Sequence, residues 1–382
     1  MDYHCSEELE LTRSMVSDFA AKRIAPSATQ RDEEERFDRR LMPQLGELGL
    51  VGIPWPEQYG GAGSDLLTFT VAMEEISKAC ASTGAILSAH VGFAAWPILA
   101  FGSEELKLAH LSELARGTKL GSGVFPSFRR HDTANFSCIT YRSEDGRYVL
   151  NGECRHVPNV EEADLYVVFA KGEGRRGGKG TSVFVVERGT MGLEIGSKDR
   201  TLGLRSRSSG DIRLNQCSIP KQNRIGKAGQ GSEIALSILD LAHLSASAQA
   251  VGIAQGAMEA AAGYALERKQ FGQLIGRHQG ILFKLADMAA RVEAGRLLNY
   301  QAAWCHQSGL SYRKEAALAW KFTAEMAAAI TVDAVQVLGG YGYMQEYQVE
   351  RYMRDAKCLE ADFGMGGWFA EEIERMLAEC QP

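Results

Sequence analysis

The hydrophobic period of this 382-residue chain changes twice, and that limits its fold more than any single motif does. From Ser6 to about Gly117 apolar residues recur three and four apart, as in EELELTRSMVSDFAAKRI and LLTFTVAMEEISKA, the spacing of helices with one buried face. After Gly121 the texture turns to short runs rich in β-branched and aromatic residues (ITYRSEDGRYVLNGE, ADLYVVFAK, TSVFVVER, DIRLNQCSI), separated by turn residues. From Ser232 the helical period returns and holds almost to the end, with Ala-rich faces that let helices pack closely. Strand and helix do not alternate along the chain, which excludes a Rossmann arrangement. The pattern predicts a mainly α protein with a central β domain: a helical domain over 1–120, a small β domain over 121–226 and a helical bundle over 227–382.

Composition narrows the partners. Lys and Arg number 42 against 48 Asp and Glu, a net charge of −6, which supplies no basic field for nucleic acid phosphates. The 8 cysteines are scattered without C-x-x-C spacing, which argues against a zinc site or a disulfide framework and fits a reducing cytoplasm. The acidic start MDYHCSEELELTRS lacks the basic and apolar regions of a secretory signal. The uncharged stretch Ala79 to Ser103 is interrupted by Gly84, His90, Gly92 and Pro97, and reads as a pair of buried helices rather than a membrane span. GEGRRGGKG (172–180) joins two apolar runs at hairpin spacing, so its basic residues, Lys179 among them, read as solvated turn residues. GKAGQG (226–231) precedes a helix but lacks a Walker lysine and dinucleotide spacing, and reads as a turn between domains.

Three local strings stand out within this order of domains: ERKQFG (267–272), DAVQVLGGYGY (333–343) and VERYMRDAK (349–357). Together with WPEQYGGAG, YVLNGE, LGLRS and HQGILFKLADMAARVEAGRLL, they resemble the acyl-CoA dehydrogenase family of FAD flavoproteins, over nearly the whole chain. The resemblance implies a helical N-terminal domain, a small β-barrel or sandwich and a C-terminal four-helix bundle. It also implies FAD as cofactor, and a thioester of coenzyme A or of an acyl carrier protein as substrate. Because the family's FAD is shared between subunits, a homodimer or homotetramer follows. Cofactor contact is carried over to Arg268, Gln270, Phe271, Gln279, Gln336, Gly339 and Gly340. Their chemistry agrees: the planar fork of Arg268 suits a diphosphate, and glycines without Cβ let the backbone approach adenine and phosphate. The substrate side is carried over to Asp240, His243 and Arg130.

At the reacting end the chain departs from the family. The usual base is a glutamate in a Y-E-G-T string after M-R-D-A-K; here the text runs CLEADFGMGGW, and Phe363 takes that position. Some members place the glutamate in an L-D-L-E-R string instead, and here LDLAH puts Ala242 at that spot and His243 where the arginine would be. L-T-E-P-x-A-G-S-D becomes GVFPSFRRHD, so Val124 replaces a hydroxyl that contacts the isoalloxazine, and Arg129 and Arg130 occupy the CoA-side serine region. W-I-T-N becomes HVPN, so His156 and Pro158 enter the flavin-facing string, and proline offers neither hydroxyl nor amide donor near flavin N5.

A general base contributes roughly 10²- to 10⁴-fold, so its loss points to other chemistry. The reading favoured by these changes is an FAD-dependent oxygenase or oxidase that uses O2 on an unusual acyl thioester in specialised metabolism. One alternative is α,β-dehydrogenation with an electron-transfer flavoprotein as acceptor and a replacement base, His243 first, with Asp362 and His156 behind it. Another, from a different class, is a non-catalytic flavin-binding or scaffold protein of the same fold.

Overall fold

The computed structural model describes residues 7–124, 138–173 and 180–362. The first third is helical: α1 (Glu7–Phe19), α2 (Ala28–Glu33), α3 (Leu41–Glu47), α4 (Leu66–Ala79), α5 (Ala81–Ala89), α6 (Trp96–Phe101) and α7 (Glu104–Ala115). Side-chain caps set two of the starts. Asp65 accepts the Thr68 N–H at 2.8 Å ahead of α4, and Ser103 accepts the Leu106 N–H at 3.3 Å ahead of α7. The sequence predicts two helices across the uncharged stretch; the structure has one rod instead. His90–Ala95 forms a π turn that carries α5 into α6, and Pro97 is the second residue of α6, just past that turn. By length and composition this rod, α8 and α10 are apolar enough to cross a membrane, but 78 % of its apolar window and 89 % of that of α8 are buried within the chain.

The β domain is one mixed sheet built from β1 (Gly121–Gly123), β2 (Ile139–Glu144), β3 (Arg147–Pro158), β4 (Leu165–Gly172), β5 (Thr181–Glu187), β6 (Leu193–Lys198), β7 (Ser209–Pro220) and β8 (Arg224–Ile225). Strand order is β6-β7-β3-β2-β4-β5-β8, with β1 running parallel beside β4. Aromatic rings fill its core, with Tyr141 and Phe184 centroids 4.9 Å apart. β3 carries a bulge between Cys154 and Val157, where His156 adopts a φ of +57°.

The remaining helices are α8 (Gly231–Glu267), α9 (Gln279–Gln307), α10 (Arg313–Leu338) and α11 (Val349–Asp362), with a small hairpin of β9 (Lys269–Gln270) and β10 (Gln273–Leu274) after α8. α8 packs against both α4 and α10, so it is buried on nearly every side, which accounts for its small residues. The VERYMRDAK string is a joint between domains. From α11, Arg354 Nη2 donates to Asp32 of α2 at 2.7 Å, Nε donates to Glu350 at 2.7 Å, and Nη1 donates to the Leu202 carbonyl at 3.2 Å. Its neighbour Asp355, held at a pKa of about 6 by burial, accepts the Leu204 N–H at 2.6 Å. Gly203 lies flat on this helix: a Cβ there would meet the Asp355 nitrogen at 2.5 Å. VERYMRDAK and LGLRS therefore pin the N-terminal helices and the β domain to the bundle.

Candidate flavin and thioester site

At the sheet edge, the end of β1 meets the end of β3. The Ser122 hydroxyl donates to the Pro158 carbonyl, and the Val124 N–H donates to Val167 of β4 at 2.8 Å. Val124 and Pro158, both expected at the flavin, are thus brought to one place, Pro158 buried and Val124 half-buried. The π turn backs this edge. Gly123 sits so close to it that a Cβ would meet the Phe93 carbonyl at 2.6 Å. His90 Nδ1 accepts the Gly121 N–H at 2.9 Å, which leaves Nε2 as the protonated nitrogen, donating to the Leu114 carbonyl at 3.2 Å. Burial pushes His90 down to about 4, so it is a neutral strut. His156, in the bulge, turns its ring to Asp199, with Nδ1 2.9 Å from Oδ2.

The residues carried over to the substrate side lie on α8. Ala242 is buried and carries no ionisable group. Asp240 is clamped by Arg313 at the start of α10, with Nε at 2.9 and 3.1 Å from its two oxygens and Nη2 at 2.9 Å. A carboxylate held by a guanidinium in this manner is a weak proton acceptor. His243 is buried, and burial lowers it to about 3, so its imidazole is neutral but a poor base. Phe363, Arg129, Arg130 and Lys179 lie outside the described residues. Asp362 is the last residue of α11. Among the described residues no group of three His, Cys, Asp or Glu side chains is placed to hold a metal ion.

A second cluster forms at the far end of α8. The β9–β10 turn, Phe271-Gly272, has φ of +53° and +82°, the signs of a type I′ turn. Glycine adopts that conformation freely. Phenylalanine does so under strain, and here its ring is 93 % exposed, with the His278 ring at 6.1 Å. His278 Nε2 lies 3.2 Å from the Gln270 carbonyl, and Gln279 follows it as the first, exposed residue of α9. Arg268 places its guanidinium 5.6 Å from the Tyr341 ring centroid and has no carboxylate partner among the described residues. Tyr341 closes the Gly339–Tyr341 turn, so Arg268 is brought beside Gln336, Gly339 and Gly340. Gly339 has φ +60° and ψ −131°, which only glycine tolerates well. No heavy atom among the described residues lies within 4 Å of a Cβ added at Gly340, so their packing does not account for glycine there.

A cation without a carboxylate, exposed amides and bare backbone fit the ADP half of FAD, with Arg268 on the diphosphate and Gln336 beside adenine. Sequence reasoning missed Tyr341, although YGY lies inside a quoted string, and Arg313, which sits 73 residues from its partner Asp240 without any local signal.

Comparison with known proteins agrees. Family models for the N-terminal, middle and C-terminal domains of acyl-CoA dehydrogenase match residues 6–118, 129–217 and 229–376. An acyl-CoA dehydrogenase of Bacillus subtilis is 41 % identical over 374 residues, covering 98 % of this chain and 97 % of that protein. The structure of butyryl-CoA dehydrogenase from Megasphaera elsdenii superposes with a TM-score of 0.93 at 34 % identity, covering 99 % of this chain and 100 % of the other. The prolyl acyl carrier protein oxidase AnaB superposes with a TM-score of 0.91 at 29 % identity, covering 97 % and 99 %. The chain belongs to the acyl-CoA dehydrogenase family of flavin-dependent oxidoreductases, and its cofactor is FAD.

Proposed function

We propose that this enzyme oxidises an acyl thioester with O2 as the acceptor, as an oxidase or oxygenase, on a substrate whose α-proton is already acidified by unsaturation or vinylogy. The observation that carries this reading is the α8 wall, where Ala242 is inert, Asp240 is held by Arg313 and His243 is a poor base. Bound FAD supplies hydride acceptance and, once reduced, reactivity toward O2. The chain's own part is to bind, orient and exclude water. Val124 and Pro158 present apolar surface at the sheet edge where the family carries hydroxyls, which leaves the reacting end drier. Two copies sharing each cofactor fit the exposed apolar side chains beside the Arg268 cluster, with Phe271, Phe283 and Tyr343 at 93, 65 and 72 % exposure.

Dehydrogenation with an electron-transfer flavoprotein as acceptor is the second reading, favoured by the 34 % identity to butyryl-CoA dehydrogenase. Reducing the bound flavin anaerobically with dithionite and then admitting air separates the two. The O2 reading expects prompt return of the oxidised flavin spectrum and, with a turned-over thioester, a product mass showing gain of oxygen or formation of H2O2. Reduced flavin that persists in air until an electron-transfer flavoprotein is added supports the second reading instead.

A further inference from the structure

The described histidines differ in what holds their rings. His90 uses both nitrogens within the chain, His110 and His243 are buried, His278 lies between the Gln273 side chain and the Gln270 carbonyl, and His306 packs edge-on to Trp96 and Tyr312. His156 is the exception. Its side chain is 77 % exposed, yet its Nδ1 lies 2.9 Å from Asp199 Oδ2. Asp199 is itself fixed: the Ser209 hydroxyl donates to the same Oδ2 at 2.9 Å, and the Asp199 N–H donates to the Ser209 carbonyl at 2.7 Å. An ionised carboxylate only accepts, so Nδ1 carries the hydrogen and Nε2 keeps a lone pair, for which no partner is present among the described residues.

A carboxylate on one ring nitrogen orients an imidazole and leaves the other nitrogen to take a proton. The backbone points the same way. His156 sits in the β3 bulge at φ +57°, a region few non-glycine residues adopt, and bulges beside functional sites re-aim side chains. It is two residues from Pro158, which meets β1 at the sheet edge, so the two Cα atoms are at most about 7 Å apart. The charges around it have partners of their own. Arg155 Nε donates to Glu153 at 3.4 Å, Arg213 donates to the same carboxylate at 3.2 Å, and Lys198 Nζ donates to the Glu35 carbonyl with Glu161 at 3.9 Å. Arg200 follows Asp199 in the chain, and Asp211 of β7 lies across from the bulge. Among these groups Asp199 is the one that bonds the ring.

We propose that His156 is a proton-holding residue of the flavin site, with Asp199 as its positioning residue: Nε2 takes a proton from water when bound FAD is reduced and returns it when FAD is reoxidised. Reduction brings FAD two electrons and, at neutral to basic pH, one proton, which leaves a negative charge on its ring. An imidazolium at this edge offsets that charge, and the Asp199 carboxylate offsets the imidazolium in turn. Proton uptake by His156 forms no bond other than N–H and consumes no co-reactant but water. It rests on FAD alone and not on the thioester or on the acceptor, so its failure leaves the choice between O2 and an electron-transfer flavoprotein where it stands.

The experiment measures the flavin midpoint potential of FAD-loaded wild type, His156→Asn and Asp199→Asn by spectroelectrochemical titration from about pH 5 to 9, where an imidazole titrates. The slope of potential against pH gives the protons taken up per FAD reduced, and retained FAD reports folding. Asparagine adopts positive φ readily, so the bulge persists in His156→Asn. The expected result is a steeper slope in wild type, which should exceed His156→Asn by up to about one proton per FAD over a window of about one pH unit or more. Asp199→Asn should move that window to lower pH by about one unit or more, because the imidazolium has lost its counter-charge. Equal slopes in wild type and His156→Asn throughout the range overturn the assignment, even if FAD affinity changes, as a purely structural histidine would make it do. A window that stays in place in Asp199→Asn overturns the role of Asp199. His156→Gln supplies the same comparison if His156→Asn does not hold FAD.

Discussion

Replacing Arg268 by Ala should raise the dissociation constant for FAD about 100-fold or more, the size expected when one partner of a charge-assisted diphosphate contact is removed. The guanidinium follows the last turn of α8, with no carboxylate partner among the described residues and a ring contact to Tyr341 at 5.6 Å, so the chain itself loses little when it is cut back. Titration of apoprotein with FAD, read by quenching of flavin fluorescence, measures the change. Arg268→Lys should recover only part of it, because an ammonium supplies charge without the two-pronged geometry. Unfolding midpoints of the apoproteins should coincide. An Arg268→Ala protein that holds FAD as tightly as wild type would remove this cluster from the cofactor site.

Replacing Arg354 by Ala should destabilise the fold by about 3–5 kcal/mol, since it strands two carboxylates that its guanidinium now satisfies. Asp32 and Glu350 are only 8 and 14 % exposed, and water cannot replace the lost partner cheaply. The domains joined through Leu202 and Asp32 should loosen together, so a urea unfolding curve should move as a whole. Adding Asp32→Asn to Arg354→Ala should recover part of the loss, because one stranded charge is then gone. A midpoint within about 1 kcal/mol of wild type would mean that VERYMRDAK carries no structural joint.

The arrangement of helical and strand-rich regions was legible because a helix and a strand write different hydrophobic periods, and Ala-rich α8 announced close packing. Arg268, Gln336 and Gly339 were singled out through the family resemblance, and the structure brings them to one end of α8 beside Tyr341. What stayed hidden depends on geometry without a local signature. The π turn at His90–Ala95 looked like a break because Gly92 and Pro97 are breakers by type, whereas one extra residue in the turn absorbs them. The strain at Phe271 needs its φ, and the clamp on Asp240 needs an arginine 73 residues away.

Among the described residues of the α8 wall no carboxylate is poised to take the α-proton of an ordinary acyl thioester, since Ala242 carries none and Arg313 holds that of Asp240. Incubating FAD-loaded enzyme with butyryl-CoA in D2O and measuring deuterium at C2 by mass spectrometry tests it most directly. Incorporation should be no faster than in the protein-free control. Enzyme-dependent exchange at C2 would contradict it, by showing that a competent base faces that carbon.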